Sequence, residues 1–156
     1  MSEIESKIAV MRNVSLILYA LDSFFIVFLS ILIFGGISFT LSESYSQLHH
    51  IVIPYDGLNF ITASFLIFAA IFDVAMIIST EIMITRLFNF SLGVMGLTIL
   101  SAVLYVVLNN LRAGNSPYAL TIKPFIDVVS VLVIGLSVGA FYSVYTLKKL
   151  EKRLAE

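Results

Sequence analysis

The sequence lacks cysteine and tryptophan and is poor in charged residues. Without cysteine the chain cannot form a disulfide, a thiolate-held iron–sulfur cluster or a cysteine zinc site. Charged residues make up only 12% of the 156-residue chain and hydrophobic residues 60%. In soluble domains about a quarter of the residues are charged and about half are apolar. A water-soluble core of this size cannot bury so many apolar side chains. The composition therefore predicts an integral membrane protein.

Several classes of function find no support in the sequence. A net charge of −1 argues against a nucleic-acid partner, since nucleic-acid-binding proteins usually carry a basic face. His49 and His50 are adjacent and lie outside the apolar runs, so they suit neither a single metal ion nor a membrane haem. No nucleophile, zinc-protease or phosphate-binding motif occurs. We therefore expect no enzyme activity, no cofactor and no metal.

Four apolar runs predict an all-α integral membrane protein that crosses the bilayer four times. A spanning helix needs about 20 mostly apolar residues, and the second run reaches that length only if it includes Asp73. The runs are continuous and lack the alternation of a β-barrel. We expect one domain over residues 1–156, an antiparallel four-helix bundle with a short basic tail at 148–156. The predicted spans are about 14–39, 58–80, 87–109 and 124–147.

Three connections join the predicted spans. Leu41–Gly57 and Asn110–Lys123 contain Pro and Gly residues that are typical of loops, and a tight connection surrounds Glu81–Arg86. Pro124 suits the first turn of the fourth helix, where its missing N–H costs nothing. Tyrosines near the ends of the apolar runs are candidates for an interfacial aromatic belt. They are Tyr19, Tyr55, Tyr105, Tyr118, Tyr142 and Tyr145.

The distribution of Lys and Arg predicts the orientation. Of the nine residues of these types, Arg112 and Lys123 lie on one side of the predicted bundle and the other seven on the opposite side. The positive-inside rule places the side with seven, and with it both termini, in the cytoplasm. We therefore expect a multi-pass cell-membrane protein with cytoplasmic termini. The seven residues are Lys7, Arg12, Arg86, Lys148, Lys149, Lys152 and Arg153.

Asp22 and Asp73 are the most informative polar residues, because both belong to the cytoplasmic halves of neighbouring predicted helices. Asp73 is predicted at membrane depth, whereas Asp22 is intramembrane or interfacial, depending on how high the first helix sits. A carboxylate at a helix centre costs about 2.5–3.5 kcal/mol on insertion scales, so such residues usually point inward, pair or line a water path. One interpretation is a proton or cation site. In the other, Asp73 pairs with Arg86 or Arg12, or bonds a Ser or Tyr, and serves assembly alone.

Small residues mark a packing face on the fourth predicted helix. Gly135 and Gly139 have G-x-x-x-G spacing and Ser143 continues the same face, so another helix can approach closely. The helix that approaches this face belongs either to the bundle itself or to a partner protein. Within the bundle, Gly93 and Gly96 of the third helix are candidates for the facing surface.

Both ends of the chain carry an apolar stripe at helical spacing. Such stripes either pack on each other, contact a cytoplasmic helix of a partner or lie at an anionic lipid surface. The C-terminal stripe is Leu147, Leu150 and Leu154, with Lys148 and Lys149 beside it, and the N-terminal stripe is Ile4, Ile8 and Met11.

Three functions are compatible with these features. We expect first a non-catalytic subunit of a larger membrane complex, with a respiratory or other energy-transducing complex as one host, that acts in assembly or stabilisation. The second is a small proton- or cation-linked transporter or channel that uses Asp22 and Asp73. The third is a structural protein of a membrane envelope or vesicle. The expected partners are the lipid bilayer and either other membrane subunits or further copies of the chain.

Overall fold

The structure, a computed structural model, is helical throughout the part of the chain that it describes, apart from the terminal Glu156. It describes residues 3–47, 53–79, 88–113 and 117–156, with the side chains of 3–36, 58–78, 88–111 and 120–156. The elements are α1 (Glu3–Gln47), α2 (Ile53–Ser79), α3 (Phe88–Ala113) and α4 (Pro117–Ala155). The prediction of an all-helical chain is therefore confirmed for these residues.

Each of the four helices contains a segment long and apolar enough to cross a membrane. Residues 148–155 of the predicted short basic tail are helical and continue α4 without a break, as the apolar stripe at helical spacing predicted. The apolar segments are Glu3–Gly36, Leu58–Ile78, Phe88–Leu111 and Leu120–Ala155.

Helix covers much of the two long connections that we predicted. Residues 41–57 were predicted as a loop, but α1 continues to Gln47 and α2 already begins at Ile53. Residues 42–47 contain neither Pro nor Gly, so nothing interrupts α1 beyond its apolar segment. The tight connection predicted at 81–86 lies outside the described residues.

Pro124 lies inside α4, so the prediction that it occupies the first turn was wrong. The helix begins earlier, at Pro117, a proline that fits the first turn equally well because no N–H is required there. The predicted loop at 110–123 is therefore mostly helical as well. An internal proline clashes with the carbonyl four residues earlier and removes a backbone hydrogen bond, so the helix lacks the bond that would join residue 124 to Leu120.

The helices pack as a ring. α1 packs against α2 and α4, and α3 also packs against α2 and α4. Among the described residues, α1 and α3 have no Cα atoms within 8 Å of each other, and neither do α2 and α4. α1 therefore lies diagonally opposite α3 across the axis of the bundle, and α2 lies opposite α4.

The bundle is apolar on its outer surface and partly polar inside. Large apolar side chains such as Phe24 (64% exposed) and Val131 (70%) cover the outside, where lipid tails and not water would be their natural surroundings. Inside, a core of aliphatic residues that includes Ile26, Leu29 and Val133 alternates with buried Ser, Thr, Asn and Asp residues. This distribution is the reverse of a soluble protein and fits a bundle of membrane helices.

Two of the three small residues on the predicted packing face of α4, Gly139 and Ser143, meet α1. The Leu18 side chain lies 3.7 Å from the point where a Cβ atom on Gly139 would stand, and Ser15 donates a hydrogen bond of 2.7 Å to Ser143. Gly135 is exposed, with nothing within 4 Å of the corresponding point. The other two glycines of the predicted packing surface are also exposed, with nothing within 4 Å of the point where a Cβ atom would stand. They are Gly93 and Gly96 of α3.

The two terminal stripes belong to the same hydrophobic core. Ile8 and Leu147 are buried in it, and Leu150 packs against it from the side, whereas Leu154 is 49% exposed. Lys149 is exposed. The ammonium group of Lys148 lies 4.4 Å from the centre of the Phe88 ring on α3, a cation–π contact.

Two glycines of α4 allow a matched test of the contact with α1. Gly139→Leu places a large side chain against Leu18, and overpacking of a filled contact usually costs about 1–3 kcal/mol. Gly135→Leu adds the same side chain where nothing lies within 4 Å, so we expect little loss of stability. Thermal unfolding in detergent, followed by circular dichroism, compares the two variants. Equal destabilisation of both would contradict the contact at Gly139.

Candidate functional site

Asp22 and Asp73 face the interior of the bundle and line the same cavity. Asp22 is 2% exposed and lies in the middle part of the apolar segment of α1, on the face that also carries buried Tyr19 and Ile26. Asp73 is 3% exposed and follows buried Ala69 and Ala70 on the inner face of α2. The spacing of three and four residues keeps each carboxyl group on the buried side of its helix. Both acids therefore lie within the candidate membrane segments.

All four helices contribute to the cavity around these two acids. Its wall also contains the apolar side chains of Phe72, Val94 and Met95. We call its polar residues the axial cluster. They are Tyr19 and Asp22 from α1, Asp73 from α2, Ser91 and Thr98 from α3, and Ser137 from α4.

Two hydrogen bonds join different helices within the axial cluster. The Ser137 hydroxyl donates to Oδ2 of Asp22 at 2.5 Å and so links α4 to α1. The hydroxyl oxygens of Tyr19 and Ser91 lie 3.0 Å apart, and either group can be the donor. This second bond joins the diagonally opposite helices α1 and α3, so the cluster lies on the axis of the bundle.

Each acid of the cluster keeps one oxygen atom without a partner. Oδ1 of Asp22 and Oδ2 of Asp73 are buried and accept no hydrogen bond from the described residues. No Lys or Arg is among the residues that line the cavity. The space open to the centre of a water molecule is about 10 Å³, which is roughly what a single water molecule requires. The cluster thus combines two acids, unused acceptor atoms and room for one small guest.

Of the two basic residues proposed as partners of Asp73, Arg12 is not among the described residues that line this cavity. Arg86 lies outside the described residues. Arg12 is ten residues before Asp22 on α1, a rise of about 15 Å, and its Nε atom is buried without a hydrogen-bond partner in the described part of the chain. His49 and His50 also lie outside the described residues. Among the residues that the structure describes, no group of three His, Cys, Asp or Glu side chains is arranged to hold a metal ion.

Sequence reasoning assigned Tyr19 to the wrong environment and overlooked the serines. Tyr19 and Tyr105 were candidates for an interfacial belt, but each is only 3% exposed and lies inside the bundle. Tyr142 and Tyr145 are exposed as expected, and the side chains of Tyr55 and Tyr118 lie outside the described set. The sequence pattern that places Ser91 and Ser137 inside the bundle is their spacing of three or four residues from other buried residues on α3 and α4. That signal is weak, because Ser is common on every face of a membrane helix.

The hydrogen bond between Ser137 and Asp22 can be tested by a double-mutant cycle. Ser137→Ala removes the donor and leaves both oxygens of Asp22 without a partner, a change that usually costs about 1–3 kcal/mol. In the background of Asp22→Leu, which removes the acceptor, Ser137→Ala should cost less. The free energy of unfolding in detergent measures this coupling. The control is Ser64→Ala, since the exposed Ser64 hydroxyl donates only to the Phe60 carbonyl of its own helix, and additive effects at Asp22 and Ser137 would refute the bond.

Comparison with known proteins gave no match. No protein-family model matches this chain, and neither does a curated protein or a solved structure. The chemistry of the axial cluster is therefore the basis for assigning a function.

Proposed function

We propose that this chain binds a proton or a small cation at the axial cluster and passes it across the membrane, as a small transporter or channel. The observation that carries this proposal is the pair of buried acids, Asp22 and Asp73, which share a cavity whose described lining residues include no Lys or Arg. Uncompensated negative charge inside a bundle surrounded by lipid is costly. A proton or cation is the species that compensates it.

The size of the cavity limits what can bind. An opening of about 10 Å³ for the centre of a water-sized guest accommodates one water molecule or one dehydrated ion and excludes an organic substrate, which needs a pocket of about 300 Å³ or more. The donors available to such a guest are oxygen atoms of carboxyl and hydroxyl groups. Oxygen ligands suit hard cations and protons, which agrees with the class of ligand proposed.

The proposal includes an orientation for the bundle. Ser15 contacts Ser143 while Asp22 contacts Ser137, a pairing that supports an antiparallel course for α1 and α4. The excess of Lys and Arg at the chain ends adds the direction. We therefore propose a protein of the cell membrane with both termini in the cytoplasm. The ends of α1 and α3 then face outward with the starts of α2 and α4.

Ion flux through reconstituted protein tests the proposed function. Purified chain in phospholipid vesicles should carry protons or monovalent cations down a gradient, as followed with an internal pH dye and with isotopic sodium and potassium. Asp22→Asn and Asp73→Asn keep the size of the side chain and remove its charge, so each should reduce the flux by about tenfold or more, equivalent to about 1.4 kcal/mol in the rate-limiting barrier.

A matched control removes a carboxylate elsewhere. Glu3→Gln breaks only an exposed ion pair with Lys7 and should leave the flux unchanged. Wild-type flux in both Asp22→Asn and Asp73→Asn would exclude these residues from the transport path. Absence of flux in the wild-type protein for every ion tested would contradict the function itself.

The absence of natural cysteine makes the orientation directly testable. Single cysteines at Ser6→Cys and Ala155→Cys should react with a membrane-impermeant maleimide only after cells are permeabilised. Asn115→Cys, in the connection predicted to face outward, should react in intact cells. Labelling of either terminal cysteine in intact cells would contradict the proposed orientation.

A second candidate function is a non-catalytic subunit of a larger membrane complex. The observation in its favour is that Gly93 and Gly96 of α3 and Gly135 of α4 lie on the outer surface with open space around them. Small residues on a lipid-facing surface allow another membrane helix to approach closely. If Gly93→Leu with Gly96→Leu removes a protein that co-purifies with the wild-type chain from native membranes, this function gains direct support, and unchanged co-purification counts against it.

A further inference from the structure

The inner face of α3 is polar along most of its length. Five of its polar side chains are at most 4% exposed and recur at intervals of three, four or seven residues, so they share one face. From the first to the last they span about 27 Å at 1.5 Å per residue, close to the thickness of the hydrocarbon layer, about 30 Å. We call them the α3 row. They are Ser91, Thr98, Ser101, Tyr105 and Asn109.

One end of the α3 row belongs to the axial cluster. Ser91 and Thr98 line the cavity together with Asp22 and Asp73. The other end, Asn109, is four residues from the last residue of α3, Ala113. The row therefore connects the two acids with the end of the bundle at which α3 terminates.

Two buried polar atoms of α4 come to the height of the middle of this row in the antiparallel arrangement proposed above. Oγ of Ser130 and Oδ1 of Asp127 are buried and have no hydrogen-bond partner among the described residues. α3 packs against α4, with the ring centres of Phe88 and Phe141 5.1 Å apart. If the two helices run in opposite directions as proposed, the residue 13 positions after Phe88 is level with the residue 13 positions before Phe141. These are residues 101 and 128. Ser101 is then at the height of Asp127 and Ser130.

The row provides hydrogen-bonding groups but little space. Val94, Ala102 and Leu108 beside it are at most 7% exposed, and the cavity at its inner end has room for about one water molecule. A metal cation needs several oxygen ligands around it at every point of its path. A proton needs only a sequence of oxygen atoms that both accept and donate, as hydroxyl groups and water do. The geometry of the row is therefore selective for a proton.

We propose that the ligand of the axial cluster is a proton, and that it reaches Asp22 and Asp73 along the α3 row from the end of the bundle where α3 terminates. This inference rests on the function proposed above. From Thr98 through Ser101 to Tyr105 successive hydroxyl groups are three or four residues apart, a rise of about 4.5–6 Å, which one water molecule bridges. The Asn109 amide does not itself relay a proton, and its place in the pathway is to hold a water molecule at the outer end of the row.

Each transfer in this pathway conserves atoms and charge. A hydroxyl group or water gives its proton to the oxygen nearer the axial cluster and receives one from the oxygen behind it. The last transfer forms an O–H bond on the carboxylate of Asp22 or Asp73, and release reverses it. Only protons move, so no oxidant or reductant is required.

Two threonines give a matched test of the pathway in the vesicle assay. The hydroxyls of Thr98 and Thr146 each donate to the carbonyl four residues earlier, at 2.9 Å and 3.0 Å, but only Thr98 is in the α3 row. Thr98→Val keeps the shape and removes the hydroxyl, so proton flux should fall by about tenfold, a barrier increase of about 1.4 kcal/mol. Thr98→Ser should retain most of the flux, and Thr146→Val should retain all of it.

The possible results separate this inference from the proposed function. Flux of sodium or potassium in place of protons would overturn the proton as ligand and leave an ion-binding function intact. Wild-type proton flux in both Thr98→Val and Ser101→Ala, combined with loss of flux in Asp22→Asn, would overturn the pathway alone. No flux of any ion would overturn both. Size-exclusion chromatography and circular dichroism identify a misfolded variant, and Ser101→Ala replaces Thr98→Val in that case.

Discussion

Two acids buried in a bundle that lipid surrounds set the requirement on which the rest of the interior depends. A carboxyl group that faces lipid tails finds no donor to replace its lost hydration. Asp22 and Asp73 must therefore face the axis, and other helices must bring polar groups to the same depth. Ser137 does so from α4, while Ser91 meets Tyr19 across the diagonal. The rotation of each helix about its own axis is fixed by this convergence.

Some polar groups of the interior make no such demand on neighbouring helices. The hydroxyls of Ser30, Thr62 and Thr98 each donate to the carbonyl four residues earlier on the same helix. They are satisfied as soon as the helix forms, so they fit a lipid-embedded interior at small cost. Hydrogen bonds between helices include those of the axial cluster, the bond between Ser15 and Ser143, and a long bond from the Ser23 hydroxyl on α1 to the Ala70 carbonyl on α2.

Length and hydropathy were enough to predict four membrane-length helices, because a spanning helix has a characteristic size and composition. They could not predict depth or rotation. Tyr19 stands near the end of an apolar run, a position that fits an interface as well as an interior, and only the contact with Ser91 distinguishes them. Likewise Gly135 and Gly139 belong to one motif, yet Gly139 alone meets α1. Such differences depend on how helices pair, which a single sequence does not encode locally.

The magnitudes involved indicate why the axial cluster is more than a device for assembly. Hydrogen bonds between membrane helices contribute about 0.6 kcal/mol each on average, whereas one acid at membrane depth costs about 2.5–3.5 kcal/mol on insertion scales. The two hydrogen bonds between helices in the cluster, at Asp22 and at Tyr19, cannot offset the burial of two acids. A cluster that served packing alone would also satisfy its acceptors, yet within the part of the chain that the structure describes Asp22 and Asp73 each keep one oxygen atom without a partner. Binding of a proton or cation in the cavity supplies the compensation that the side chains lack.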